Sequence, residues 1–309
     1  MADALQSLRA AIASVFLGHP DAIDRLLCCL LARGHCLIED VPGVGKTVLA
    51  SALARSIDAS FGRVQLTPDL LPSDILGVSL YRRELERFEF KRGPIFASIV
   101  LADEINRATP RTQTALLEAM SEGSVTIDGV THELPKPFMI VATQNPTDFH
   151  GTYALPENQL DRFLMRISVG YPSAADEARV LELRPATHAL HELRPVVSGA
   201  DVLALQERVD AARLDRSLVD YIISLAAATR KHPALQLGLS PRGALALAQA
   251  ARASAVLRGR AYVIPEDITD HVAAVVTHRV IPRGSLADSS SDHTGAILRE
   301  IMSTVPSPA

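Results

Sequence analysis

The stretch from His35 to Ile57, HCLIEDVPGVGKTVLASALARSI, constrains the fold of this 309-residue chain more than any other. A short β-prone run, His35 to Glu39, passes through a glycine-containing turn into a segment rich in Ala and Leu, Thr47 to Ile57. Strand, turn and helix in that order build parallel sheets, and the turn is where phosphates bind in such folds. Successive backbone N–H groups at a helix N-terminus form a concavity for anions, and small residues let a phosphate approach the backbone. Gly43 and Gly45 supply the permissive backbone, Lys46 an ammonium for β- and γ-phosphates, and Thr47 a hydroxyl for Mg²⁺. Val41, Pro42, Val44 and Val48 complete the loop. The pattern G-x-x-x-x-G-K-[ST] is broken at its first position, where Asp40 stands. That position precedes the amides from Gly43 to Thr47, so an acid there can turn away from a phosphate while Pro42-Gly43 supplies the turn. A chance glycine-rich turn has the same appearance, and the loop alone leaves both readings open.

A second feature bears on the choice. In SIVLADEIN an apolar strand, Ile99 to Ala102, ends in Asp103-Glu104. Adjacent acids at a strand's carboxyl end sit where α/β folds place ligands, and carboxylates repel unless a cation joins them. Asp103 oriented to Mg²⁺ and Glu104 polarising an attacking water would give both work in phosphoryl transfer. The plain alternative is an acid pair ahead of the helix opened by Thr109-Pro110, worth about 0.3–1 kcal/mol.

The rest of the chain supplies the scaffold. Helical spacing over Ala4–Leu17 and Asp21–Ala32 predicts two helices before the loop. Arg63–Thr67, Ser98–Ala102, Phe138–Ala142 and Arg166–Val169 are further β-prone runs between helical or turn-rich stretches, which implies a three-layer α/β unit with a mainly parallel sheet. Asp128-Gly129 within Ser124–Leu134 marks an inserted β-hairpin. After Tyr171-Pro172 the sequence turns Ala/Leu-rich, with helical periodicity over Glu177–Leu183, Ala200–Ala211, Ser217–Arg230, Arg242–Arg258 and Pro265–His278. Domains are therefore expected at 1–171, α/β, and 172–309, all-helical, with Ser240 capping the helix that starts at Pro241.

Composition narrows the function classes. Lys+Arg 31 against Asp+Glu 35 leaves a net charge of -4, without the global basic footprint of non-specific nucleic-acid binding. The first residues, MADALQSLRAAIASVF, intersperse charges in a helical pattern unlike a signal peptide, and no run reaches the roughly 18 apolar residues of a membrane span. A cytoplasmic protein is expected. Cys28, Cys29 and Cys36 lack C-x-x-C spacing and read as buried thiols.

Together these residues resemble the AAA+ ATPases and, within them, the MoxR family. The resemblance rests on EDVPGVGKT, RVQLTPDLLPSDILG (Arg63–Gly77), VLADEINRATPRTQTALLEAMSEG (Val100–Gly123), VATQNP (Val141–Pro146), ALPENQLDRFLMR (Ala154–Arg166) and LSPRGALAL (Leu239–Leu247), in the family's order and spanning about residues 1–305. It implies a three-layer αβα core with a five-stranded sheet, a smaller helical lid, inserts near Leu80–Lys91 and at the Asp128-Gly129 hairpin, and hexameric rings hydrolysing ATP with Mg²⁺ between subunits. Lys46 and Thr47 are similar to the Walker A pair, and Asp103 and Glu104 to the Walker B acids. Asn145 resembles sensor 1, Arg162 the arginine finger that reaches a neighbouring subunit's γ-phosphate, and Arg242 sensor 2, which couples lid position to nucleotide. Taken from residue chemistry alone, Asn145 equally suits a turn before Pro146, Arg162 a surface ion pair with Asp161, and Arg242 a solvated first-turn residue. Guanidinium forks at these two positions match phosphate oxygens and keep their charge.

The resemblance further implies a chaperone that remodels client proteins or metalloenzymes, with partners bearing a von Willebrand factor A domain. A nucleic-acid-stimulated motor is an alternative, since related helicases carry inserted hairpins, but the arms SVTI and VTHEL contain no Lys or Arg. A non-hydrolysing, nucleotide-dependent scaffold is another; Glu104, Asn145 and Arg162 argue for hydrolysis.

Overall fold

A computed structural model describes residues 2–145, 152–182, 187–284 and 291–308. The expected positions Pro146 and Leu183 lie outside the described residues. The chain divides into two compact units. One gathers Met1–Asp24, His35–Leu155 and Ile167–Leu203, and the other Arg25–Gly34, Pro156–Arg166 and Ala204–Ala309. The units exchange chain segments, where periodicity had suggested one cut after Tyr171.

The sheet has five strands in the order Met165–Ile167, Cys36–Glu39, Met139–Gln144, Ile99–Asp103 and Phe61–Gln65. Cys36 lies opposite Val141, Ile99 opposite Met139, and Phe61 opposite Ile99, all in parallel register. Ile99–Asp103 is buried throughout, and Met139–Thr143 likewise. Apolar strands without alternation are what a parallel sheet covered on both faces requires. The register brings the carboxyl ends Glu39, Gln144, Asp103 and Gln65 to one edge of the sheet, because Glu39 faces Gln144 and Gln65 faces Asp103.

Helix Lys46–Ser56 buries Leu49, Ala50, Ala52, Leu53 and Ala54, and Ala2–Val15 packs against it. Helix Pro110–Glu122 starts at Thr109, whose Oγ1 accepts from the Thr112 amide at 3.4 Å. Buried His35 ties this helix to the sheet: its Nε2 lies 3.0 Å from the Met120 carbonyl and its Nδ1 accepts from the Ile140 amide at 2.9 Å. Burial pushes its pKa down to about 4, so the imidazole is neutral at pH 7. The Asp128-Gly129 hairpin forms as expected, Ser124–Ile127 against Val130–Glu133. Both turn residues have positive φ, 51° and 78°, the backbone that a two-residue Asp-Gly turn demands. Near Leu80–Lys91 the chain builds a second hairpin, Gly77–Arg82 with Arg87–Arg92.

The second unit is built mainly from helices, among them Arg216–Lys231, Pro241–Leu257, Pro265–Val276 and Ser291–Thr304. Ser240 caps Pro241–Leu257 by accepting from the Gly243 amide at 3.0 Å. A short antiparallel pair, Leu235–Leu237 with Ile281–Pro282, departs from the all-helical expectation. Asp267, fully buried, accepts two hydrogen bonds from Arg260 at 2.7 Å and one from Ser254 at 3.0 Å.

Candidate functional site

The loop between strand Cys36–Glu39 and helix Lys46–Ser56 holds Gly43 and Gly45 at φ 87° and 91°, a region where a Cβ is strained. Helix Lys46–Ser56 begins without a side-chain cap, and its first intrahelical bond runs from the Leu49 amide to the Gly45 carbonyl at 2.9 Å. The amides of its first turn therefore point outward at the positive end of the helix. Val44 is buried beneath the loop, Pro42 is exposed, and Val41 and Val48 are half-buried. The Lys46 ammonium donates to the carbonyls of Asp40 at 2.6 Å and Gln144 at 3.2 Å, so it sits across the sheet edge between two strand ends.

Asp40 is the residue that broke the pattern. Its Oδ2 accepts from Ser168 Oγ at 2.6 Å and from the amides of Val169 and Gly170 at 2.8 and 2.7 Å, and its Oδ1 from the Val41 amide at 2.8 Å. Partial burial by itself would raise the pKa of this carboxyl, and the hydrogen bonds from Ser168, Gly170, Val41 and Val169 outweigh it and hold the group below the usual carboxylate value. Its oxygens are committed to the segment after strand Met165–Ile167.

The acid pair is held just as closely. Thr143 Oγ1 donates to Asp103 Oδ1 at 2.6 Å and accepts from the Glu104 amide at 2.9 Å, so one hydroxyl ties both residues to the neighbouring strand. The other Asp103 oxygen, Oδ2, accepts from Thr47 Oγ1 at 3.3 Å and from Arg63 Nη2 at 3.0 Å. Glu104 stands at φ 58°, ψ 55°, a left-handed backbone that costs a non-glycine residue on the order of 1 kcal/mol. Its carboxylate receives Gln65 Nε2 and Arg107 Nε, each at 3.1 Å. Asn145, buried directly after strand Met139–Gln144, accepts at its carbonyl from Asn106 Nδ2 at 3.4 Å.

Arg162 and Arg242 belong to the second unit. Asp161 organises their surroundings. It accepts from Arg279 Nε at 2.7 Å and ion-pairs with Arg242 Nε at 3.6 Å. Arg279, whose side chain is 3% exposed, also donates to the carbonyls of Asp161, Phe163, Leu164 and Val275, which fixes the turn carrying Arg162. Asp161 thus engages Arg279 and Arg242. An open cavity of about 630 Å³ in this unit is bordered by Asp161, Arg230, Ser240 and Arg279.

The first unit therefore brings Lys46, Thr47, Asp103 and Glu104 to one sheet edge beside Asn145. Sequence reasoning passed over Thr143, Arg63, Gln65 and, in the second unit, Arg279 as partners, and named Asp161 only beside Arg162. Alternation on the edge strand was the available signal, since Arg63 and Gln65 lie two apart and share a face. Uncapped amides, an ammonium, and hydroxyl and carboxylate oxygens 3.3 Å apart are a donor set that fits a polyphosphate with a hard divalent cation. Among the described residues no group of three His, Cys, Asp or Glu forms a cation cage, so a cation here would rely on Thr47, Asp103 and phosphate oxygens.

Comparison with known proteins agrees with this geometry. Residues 35–165 match the ATPase family associated with various cellular activities, and residues 227–301 match the AAA lid domain. The chain is 50% identical to the uncharacterized protein YeaC of Bacillus subtilis over 296 residues, covering 95% of this chain and 92% of YeaC. It is 40% identical to the chaperone MoxR1 of Mycobacterium tuberculosis over 304 residues, covering 95% of this chain and 80% of MoxR1. The crystal structure of a Cytophaga hutchinsonii protein whose name proposes an ATPase superposes with a TM-score of 0.91 at 36% identity, covering 100% of this chain and 96% of that one.

Proposed function

The chain belongs to the MoxR family of AAA+ ATPases, and on that premise we propose that it hydrolyses ATP with Mg²⁺, as a ring-forming, chaperone-like protein that remodels client proteins. The observation that carries the reading is the convergence of Lys46, Thr47, Asp103 and Glu104 at the carboxyl edge of one sheet.

Bound Mg·ATP supplies the electrophilic phosphorus and the charge that develops on its oxygens. The chain's residues divide the remaining work. Val41, Pro42, Gly43, Val44, Gly45 and Val48 shape the amide cradle, and Lys46 exchanges its two carbonyl partners for β- and γ-phosphate oxygens. Thr47 and Asp103 hold the cation. Glu104 accepts the proton of the attacking water, and Asn145 orients that water. Arg162 and Arg242 stabilise charge on the transferred group with planar guanidinium forks.

Client proteins, a partner with a von Willebrand factor A domain, a hexameric ring and a cytoplasmic setting form the remainder of the reading, supported by resemblance to the MoxR relatives. The purified chain is expected to turn over ATP, and Glu104→Gln to retain nucleotide while losing on the order of 10² or more in rate, the usual yield of a positioned base. Native turnover in that variant would remove Glu104 from its role. Turnover that rises on adding single-stranded DNA would replace the chaperone reading with the motor, against which the hairpin arms Ser124–Ile127 and Val130–Glu133 carry no Lys or Arg.

A further inference from the structure

We propose that Arg63 is a tethered counter-cation of Asp103 that competes with the divalent cation for the same carboxylate oxygen. This rests on the reading of Asp103 as a cation ligand. Asp103 has two oxygens with distinct surroundings. Oδ1 is taken by the Thr143 hydroxyl at 2.6 Å. Oδ2 is the oxygen that faces the Thr47 hydroxyl at 3.3 Å, and a divalent cation shared by Thr47 and Asp103 must bind through it. Arg63 Nη2 donates to that atom at 3.0 Å, so the chain's own cation stands at the oxygen the metal needs.

The fold makes the contact by register. Edge strand Phe61–Gln65 pairs in parallel with Ile99–Asp103, and its burial alternates exposed and buried from Phe61 to Gln65. Arg63 and Gln65 therefore share a face, and they reach Asp103 and Glu104 respectively. The two partners differ in freedom. The Asp103 side chain is 12% exposed and fixed by Thr143, whereas that of Arg63 is 52% exposed and can swing into water. Mg²⁺ takes hard oxygen ligands at short, near-octahedral distances, and a guanidinium hydrogen-bonded to one of those oxygens both occupies a lone pair and repels the ion. Uptake of the cation therefore displaces Arg63, and cation affinity is set below what Thr47 and Asp103 alone would give. The guanidinium also neutralises Asp103 before the cation arrives, which lowers the repulsion between the two adjacent acids.

The test is direct binding of Mn²⁺, followed by electron paramagnetic resonance, to the full chain with a non-hydrolysable ATP analogue in excess. Arg63→Gln is expected to tighten Mn²⁺ on the order of two- to fivefold, the worth of a half-exposed ion pair. Arg63→Lys, which retains the charge, is expected to stay within twofold of wild type and covers the case in which Arg63→Gln fails to fold. Unchanged or weakened Mn²⁺ binding in Arg63→Gln overturns the proposal and makes Arg63 a positioning residue of the loaded site. Tightening in Arg63→Lys equal to that in Arg63→Gln also overturns it, because charge would then not be the cause. Asp103→Asn separates the two levels: unaltered Mn²⁺ binding there overturns the reading of Asp103 as a ligand itself.

Discussion

Asp40 shows how far a single residue can be read from its neighbours in sequence and where that reading stops. Its place before the loop amides suggested that the carboxylate turns away from the anion site. The structure gives the destination, the Ser168 hydroxyl and the Val169 and Gly170 amides. No local pattern links residue 40 to residues 168–170, because that contact depends on how the chain folds back past the loop strand. The positions of Lys46, Thr47, Asp103 and Glu104 were legible for the opposite reason: Lys46 and Thr47 open the helix after the loop, Asp103 and Glu104 stand where a strand ends, and the local strand–turn–helix order fixes each place. Asp40→Asn leaves the loop amides untouched and is expected to bind ATP as the wild type does. Its effect falls on acid stability. The carboxyl's folded pKa is depressed, so its stabilisation is complete above the ordinary carboxylate value near about 4 and is lost as pH falls through the depressed value. Thermal melts of wild type and Asp40→Asn between pH 6 and 3 check this, with the variant expected to lose less stability over the acid limb. At neutral pH, Asp40→Ala strips three amides and the Ser168 hydroxyl of their acceptor and is expected to cost about 1 kcal/mol, at the low end for a half-exposed site.

At the scale of elements, periodicity located the long helices and central strands to within a few residues, since burial on one face or on both dictates the apolar spacing. The Asp128-Gly129 hairpin was legible because its turn needs two positive φ values. Pairs such as Ile57–Asp58 with Val197–Ser198 were not, for two residues carry no period and their partner lies far away in sequence. The edge strand's role escaped for a related reason. Which strand lies beside Ile99–Asp103 is a property of sheet order, and without it Arg63 and Gln65 have no assigned partner. Helix Pro265–Val276 offers an energetic test of an element's anchoring. Its fully buried Asp267 receives Arg260, Ser254 and the Ile264 amide at 2.7–3.0 Å, and Arg258 at 3.3 Å. Burial opposes the charge and these partners more than offset it, holding the carboxyl below its usual pKa. Asp267→Ala leaves Arg260, 19% exposed, without its counter-ion and is expected to destabilise the helical unit by about 3 kcal/mol, read from denaturant midpoints at constant m.

At the scale of the whole molecule, the six sequence blocks gave the family, whereas the interleaving of the two units was invisible because spacing reports local periodicity and not which segments pack together. The location of Arg162 and Arg242 follows from that interleaving. Both lie in the second unit, with Asp161 bonded to Arg242 and immediately preceding Arg162. If Arg162 serves a neighbouring subunit's nucleotide, the ion pair of Arg242 with the adjacent Asp161 motivates asking whether Arg242 serves that nucleotide as well. Mixed assemblies test this. Arg162→Ala keeps a complete loop and acid pair and lacks the finger, while Glu104→Gln keeps both guanidiniums and lacks the base. Each alone is expected to be nearly inactive, a finger being worth about 10³–10⁵ in rate. Mixed before assembly, they are expected to recover turnover, since a Glu104→Gln subunit can offer Arg162 to the intact site of an Arg162→Ala neighbour. Arg242→Ala mixed with Glu104→Gln is expected to recover in the same way. Recovery with Arg162→Ala and none with Arg242→Ala would place Arg242 on its own subunit's nucleotide and dissolve the common role assigned through Asp161. Absence of recovery in both mixtures, with mixed assembly verified by differential tagging, would place the whole hydrolytic set within one chain.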